Sequence, residues 1–140
     1  MTKTARIYAA AIVFSAVLLL SCSAQQSSPD LPDCDISQGP CAKTVMNRQV
    51  VLEISPRPVE AMKELSFRLT AEGCREREIF LDLTMPGMYM GENRVVLRRV
   101  RGAYEGKGII PRCPSGRRLW QATIDIPGTG KVSYRFDVAR

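Results

Sequence analysis

A chain of 140 residues, with 45% hydrophobic and 24% charged residues, is long enough for one globular domain with short appendages, so no second domain is needed. The net charge of +6 is modest, and the chain contains no histidine. The absence of histidine excludes Ser-His-Asp and Cys-His catalytic arrangements, and no Cys-x-x-Cys redox motif or glycine-rich phosphate loop is present. We therefore expect a protein that is not an enzyme.

The N-terminus has the pattern of an export signal. Lys3 and Arg6 precede an apolar run over residues 7–20, which has the length of a signal-peptide core and is too short to span a bilayer comfortably. The run ends in Leu19-Leu20-Ser21-Cys22, which resembles the lipobox of bacterial lipoproteins. That resemblance implies that residues 1–21 are a lipoprotein signal peptide and that Cys22 is lipidated. An ordinary secreted product and an uncleaved anchor are the alternatives.

A lipidated Cys22 predicts where the protein resides. Several acyl chains on one residue hold a protein stably at a membrane, so we expect a membrane-anchored lipoprotein of the cell envelope. The residue after the cysteine is Ser23, not the aspartate that the lipoprotein resemblance associates with inner-membrane retention. The prediction is attachment to the outer membrane, facing the periplasm.

Residues 22–47 are predicted to form a flexible tether. The segment is rich in Ser, Gln, Pro and Asp and contains few large apolar residues, so it cannot bury enough surface to fold alone. Cys34 and Cys41 lie within it, and in an exported chain they could close a small disulfide loop. The simplest pairing of the remaining cysteines is then Cys74 with Cys113.

Residues 48–140 are predicted to form a β-sandwich, because apolar and polar residues alternate with a period of two. The alternating runs are residues 50–54, 65–72, 79–84, 95–100, 104–110, 120–126 and 132–138. Seven short strands separated by turn signals are typical of an immunoglobulin-like antiparallel β-sandwich, an all-β fold. Gly106 and Gly108 weaken the fifth run or mark a bulge.

Sulfur-containing residues are predicted to gather at one end of this sandwich. Antiparallel alternation places the loops after the first, third and fifth strands at the same end. These loops contain Met62, then Met85, Met88 and Met90, and then Cys113. Cys74 falls at the opposite end, which argues against a disulfide with Cys113. Cys113 is then a free thiol or pairs with the tether.

The methionine loop allows two interpretations. Thioether and thiolate sulfur are ligands that Cu(I) accepts, whereas Cu(II), Zn and Ni sites usually use imidazole. In the first interpretation Met85, Met88 and Met90 bind Cu(I), Met62 and Cys113 complete the metal site, and Tyr89 forms a hydrophobic lid. In the second, no cofactor is bound and the methionines fill an irregular end of the core, with alternate residues pointing inward.

The chain also resembles a family of exported bacterial domains. Ser55-Pro56-Arg57-Pro58, the segment over residues 82–91 and the segment over residues 113–120 are similar to the YtkA-like and FixH-like group. The resemblance covers most of the chain after the tether and implies an immunoglobulin-like fold. It also implies a role in copper handling or in the assembly of copper-containing respiratory oxidases. The alternative function is a metal-free structural or protein-interaction module of the cell envelope.

Arginines form a second feature of the domain. They are Arg94, Arg98, Arg99 and Arg101 in and around the fourth strand, and Arg112, Arg117 and Arg118 around Cys113. Such a cluster can lie against anionic lipid headgroups or an acidic envelope protein, or it can protect an edge strand from pairing. We expect no nucleic-acid partner for an exported chain.

Overall fold

The chain was analysed as a computed structural model, which describes residues 31–140. The predicted signal peptide, Cys22 and the first part of the predicted tether lie outside the described residues. The strands are β1 (Cys41–Val45), β2 (Arg48–Ser55), β3 (Glu64–Ala71), β4 (Glu78–Thr84), β5 (Arg94–Val100), β6 (Ala103–Ile109), β7 (Leu119–Ile126) and β8 (Gly130–Asp137). No helix in residues 31–140 has the length and apolar character needed to cross a bilayer.

The eight strands form one antiparallel sheet in the order β1-β2-β3-β6-β5-β4-β7-β8. The all-β antiparallel prediction is confirmed, with one strand more than expected. The two sheets of the predicted sandwich are one continuous sheet, because β5 pairs with β4 on one side and with β6 on the other. The sheet curves until its outer strands β1 and β8 approach each other, and it nearly closes on itself.

The sequence pattern accounts for the core. In β3, Leu65, Phe67 and Leu69 are buried while the residues between them are exposed, as expected for a strand with one face toward the interior. The same alternation in β7 and β8 buries Trp120, Tyr134 and Phe136. The core therefore lies inside the curved sheet.

The end of the predicted tether belongs to the fold. β1 pairs with β2 over five residues, and Ile36, just before it, is only 1% exposed. The predicted disulfide between Cys34 and Cys41 is present, with a Cα–Cα distance of 6.1 Å. One buried isoleucine and a ladder of backbone hydrogen bonds fix this segment, although its polar composition predicted a flexible chain.

The edge-strand explanation of the arginines on the predicted fourth strand is wrong. That strand is β5, which lies between β4 and β6 in the interior of the sheet. Its outward arginines face carboxylates on β4: Arg94 Nε lies 2.6 Å from Asp82, and Arg98 Nε lies 3.9 Å from Glu78. These residues form cross-strand ion pairs.

Gly106 allows β5 and β6 to approach closely. A Cβ atom at this position would lie 2.3 Å from the Val96 carbonyl oxygen and 2.9 Å from Leu97 Cδ2. No real Cβ atom makes a contact that short with a backbone oxygen. The glycine predicted as a weak point or bulge is therefore required by the packing.

Candidate functional site

The methionine loop begins where β4 ends at Thr84. The Met88 N–H donates to the Met85 carbonyl oxygen at 3.1 Å, and Gly87 has a φ of 74°. Proline followed by a glycine of positive φ is typical of a type II turn. This turn determines in which direction each methionine side chain points.

The three methionines do not point the same way. Met85 is 3% exposed and belongs to the hydrophobic core, whereas Met88 and Met90 are half-buried and pack against it. Tyr89 between them is 86% exposed, so it does not form the predicted lid. Met85 therefore fits the core-filling interpretation, and Met88 and Met90 have sulfur atoms nearer the surface.

Cys113 meets this loop from the connection between β6 and β7. Its Sγ donates to the Met88 Sδ at 3.6 Å and lies 3.0 Å from the Ser115 Oγ. The Gly116 N–H donates to the Cys113 carbonyl oxygen at 3.0 Å, which closes the tight turn that brings Ser115 back to the thiol. The structure thus brings together two of the five predicted sulfur ligands.

Met62 does not join this pair. Its side chain is 62% exposed, and it makes no hydrogen bond to Cys113. Its backbone N–H donates to the Ile110 carbonyl oxygen at 2.8 Å, which fixes the loop before β3 beside the end of β6. The loop is at the predicted end of the sheet, but its thioether faces solvent.

The surroundings of Cys113 favour its thiolate. The Ser115 hydroxyl is the largest cause that lowers the pKa of the Cys113 thiol below its ordinary value. Burial opposes this effect, while backbone hydrogen bonds from Ser115 and Arg117 and the positive charge of Arg117 support it. The thiolate is the form of cysteine that binds soft metal ions. Sequence reasoning missed Ser115, although its place in the Cys-Pro-Ser-Gly turn is a usable signal.

Cys74 lies at the other end of the sheet, as predicted. The Tyr104 hydroxyl lies 3.1 Å from the Cys74 Sγ and 3.1 Å from the Glu76 carbonyl oxygen. Burial, and then the hydrogen bond with Cys74, raise the pKa of Tyr104 to about 12. Cys74 and Cys113 are both free, buried thiols.

Residues 31–140 contain no cluster of three or more His, Cys, Asp or Glu side chains that could hold a metal ion. The sulfur atom that the structure places against Cys113 is the Met88 thioether. For scale, two cysteine sulfur atoms bound to tetrahedral Zn²⁺ at about 2.3 Å lie about 3.8 Å apart. The observed separation of 3.6 Å between Cys113 and Met88 is close to that value.

Comparison of the chain with protein-family models, with curated proteins and with solved structures yields no match.

Proposed function

We propose that this protein is an envelope lipoprotein that holds Cu(I) between Met88 and Cys113. The observation that supports the proposal is the 3.6 Å contact between the two sulfur atoms. A thiol whose pKa is lowered, next to a thioether, offers two soft ligands without imidazole, and this combination favours Cu(I) over the harder divalent ions. The resemblance to the YtkA-like and FixH-like group supports the same role in copper handling or oxidase assembly.

Met90 is the proposed third ligand. It follows Met88 by two residues on the same loop, and it is half-buried rather than part of the core interior. Met85 would have to leave the core to bind the ion, and Met62 would have to turn in from solvent. We therefore assign the metal to Met88, Met90 and Cys113.

The proposed location follows from the N-terminal pattern. A lipidated Cys22 would attach the chain to a membrane, with the outer membrane facing the periplasm as the proposed site. The Cys34–Cys41 disulfide supports export, because disulfides persist mainly in oxidising compartments. Metabolic labelling with a fatty acid tests this directly: labelled wild-type protein and an unlabelled Cys22→Ser variant are expected.

Competition for Cu(I) tests the metal site. The full chain in non-ionic detergent is titrated without oxygen against a chromophoric Cu(I) chelator, using a reductant that leaves the disulfide intact. Met88→Leu and Cys113→Ser should each weaken binding by about tenfold or more, because each removes one of few ligands.

Matched controls separate ligand loss from structural damage. Met85→Leu removes a thioether from the core by a nearly volume-conserving change, and Cys74→Ser removes a thiol at the opposite end of the sheet. Both variants should compete like the wild type. If Met88→Leu and Met85→Leu compete equally, the proposed site is wrong.

A metal-free interaction module is the second candidate function. Tyr89 at the tip of the methionine loop is 86% exposed, and such aromatic side chains are enriched in protein–protein interfaces. A photo-crosslinking residue in place of Tyr89 should then capture one specific envelope protein in copper-free cells. Capture only when copper is supplied would favour the first function instead.

A further inference from the structure

A cavity of about 330 Å³ has Cys113 among its lining residues but none of the methionines of the loop. Trp120 and Val138, which are both buried, line its interior. Four arginines that are exposed at the surface also line it: Arg112, Arg117, Arg118 and Arg140. Sequence reasoning identified the first three of these as a basic cluster, but not Arg140 and not the cavity.

No acidic side chain lines this cavity to balance its positive charge. Several arginines elsewhere in the domain pair with acidic side chains, as Arg57 does with Glu53 and Arg94 with Asp82. Within residues 31–140, none of the four cavity arginines forms an ion pair, and none of the cavity's lining residues is Asp or Glu. Four guanidinium groups therefore surround one concave surface with their charge available to a ligand.

One hydrogen bond to the backbone and two glycines determine where three of these side chains lie. Arg118 Nε donates to the Val138 carbonyl oxygen at 3.1 Å. Arg140 lies over Gly116, with its Nη2 3.2 Å from the position that a Cβ atom would occupy there. Arg117 lies over Gly87 of the methionine loop in the same way, at 3.5 Å. The absence of side chains on the two glycines gives the guanidinium groups room. Within residues 31–140, the hydrogen bond of Arg118 uses one of their N–H donors.

We propose that this cavity binds a phosphate group, either free phosphate or the phosphodiester of a lipid headgroup. Planar guanidinium groups recognise phosphate oxygens through paired N–H donors, which makes arginine clusters characteristic of phosphate sites. A phosphate monoester has a charge of roughly −1.5 to −2 at neutral pH, so it balances about two arginines, whereas a carboxylate balances one. A phosphodiester has one negative charge, like a carboxylate, and differs from it in the tetrahedral arrangement of its oxygens. Of the proposed metal ligands, Cys113 lines this cavity, and Met88 and Met90 do not.

Trp120 provides the readout, because it is the only tryptophan of the chain and it lines the cavity. The full chain in non-ionic detergent is titrated at fixed, low ionic strength with inorganic phosphate, glycerophosphoglycerol or acetate while its fluorescence is recorded. We expect a saturable change, with phosphate binding about tenfold more tightly than acetate because of its additional charge and acceptor oxygens. Acetate binding as tightly as phosphate, or no saturable change with any phosphate compound, would overturn the proposal.

Variants locate the binding. The double variant Arg117→Gln with Arg118→Gln should weaken phosphate binding by about tenfold or more, and Arg112→Gln with Arg140→Gln should do so independently. Arg75→Gln with Arg101→Gln removes the same charge at the opposite end of the sheet and should leave binding unchanged. Equal weakening in this control pair would mean that only net charge matters, which contradicts a site.

The two phosphate compounds distinguish the source of the ligand. Glycerophosphoglycerol has the phosphodiester of a lipid headgroup without acyl chains, so the anchor of the protein does not affect this comparison. If glycerophosphoglycerol binds as tightly as inorganic phosphate, the cavity is assigned to a lipid headgroup. Binding of inorganic phosphate alone assigns it to free phosphate.

Discussion

Asp33, which precedes β1 in the chain, and Arg135 of β8 are joined by two reciprocal hydrogen bonds. The Asp33 N–H donates to the Arg135 carbonyl oxygen at 3.0 Å, and the Arg135 N–H donates to the Asp33 Oδ1 at 2.9 Å. The Asp33 carboxylate also accepts a hydrogen bond from Lys43 on β1 at 2.8 Å. Asp33 thus connects β1 and β8 where the sheet nearly closes.

Replacing this carboxylate should weaken the closure. Asp33→Asn keeps an acceptor oxygen but loses the charge that faces Lys43, so we expect the free energy of unfolding to fall by about 1 kcal/mol. Urea unfolding at neutral pH measures this difference. Asp125→Asn, an exposed position on β7 with no ion pair in residues 31–140, should change it by less than about 0.5 kcal/mol.

The pH dependence of stability should change in the same variant. Burial raises the pKa of Asp33, but the hydrogen bonds from Lys43 and Arg135 outweigh it and bring the pKa below 3.8. A lowered pKa in the folded state stabilises the protein above the unfolded value, and this contribution is lost as the pH falls through the folded value. Between about pH 5 and pH 2, Asp33→Asn should therefore lose less stability than the wild type. Parallel loss in both proteins would contradict this assignment.

Removing the disulfide should lower stability by a moderate amount. The Cys34–Cys41 bond spans a sequence separation of 7, and closing so short a loop restricts the unfolded chain by about 2.5 kcal/mol. Cys34→Ser with Cys41→Ser should lose about this much in chemical denaturation. Adding a thiol reductant should lower the stability of the wild type to that of the variant and leave the variant unchanged.

Gly106 should not tolerate any side chain. In Gly106→Ala the new methyl group would meet the Val96 carbonyl oxygen, which cannot move without disturbing β5, so we expect a loss of roughly 3 kcal/mol or more. Gly39→Ala is the matched control, since nothing lies within 4 Å of a Cβ atom there. Thermal unfolding of both variants checks this, and equal melting temperatures would refute the proposed close packing.

Ser115 should control the acidity of Cys113. Because the Ser115 hydroxyl is the main cause of the lowered thiol pKa, Ser115→Ala should raise the pKa of Cys113 toward 9.0. Cysteine labelled with ¹³C at Cβ reports this titration by NMR and separates Cys113 from Cys74. Ser66→Ala, at an exposed position on β3, should leave it unchanged.

The free energy of unfolding should rise with pH as the Cys113 thiol ionises. A thiol whose pKa is lowered on folding makes the folded state more stable as the pH rises through that pKa toward 9.0. Ser115→Ala should flatten this rise, which urea unfolding across the same pH range can detect.

Alternation along the chain was sufficient to predict the seven strands from β2 to β8. It depends on burial of one face, and β2 to β4 and β7 to β8 have regular burial patterns. β1 was missed because only Cys41 among its residues is buried. Which strands lie at the edge also could not be predicted, since this depends on the pairing of β3 with β6 and of β4 with β7, which join residues far apart in sequence.

For the candidate site, strand direction predicted which loops meet, because antiparallel strands return every second loop to the same end. The contact between Cys113 and Met88 follows from that rule. The inward direction of the Met85 side chain does not follow from that rule, since it depends on the turn geometry and on free space in the core. The arginine-lined cavity was missed because Arg140 is far in sequence from the other three arginines.

The disulfide also determines how the domain would bear tension applied upstream of residue 33. Such a load would first reach the hydrogen bonds of Asp33 with β1 and β8. Beyond Asp33, the force would pass through the covalent bond from Cys34 to Cys41 and bypass residues 35–40. The loop over residues 35–40, which holds Ile36 in the core, would then carry no tension. The first strand under load would be β1, which pairs in register with β2.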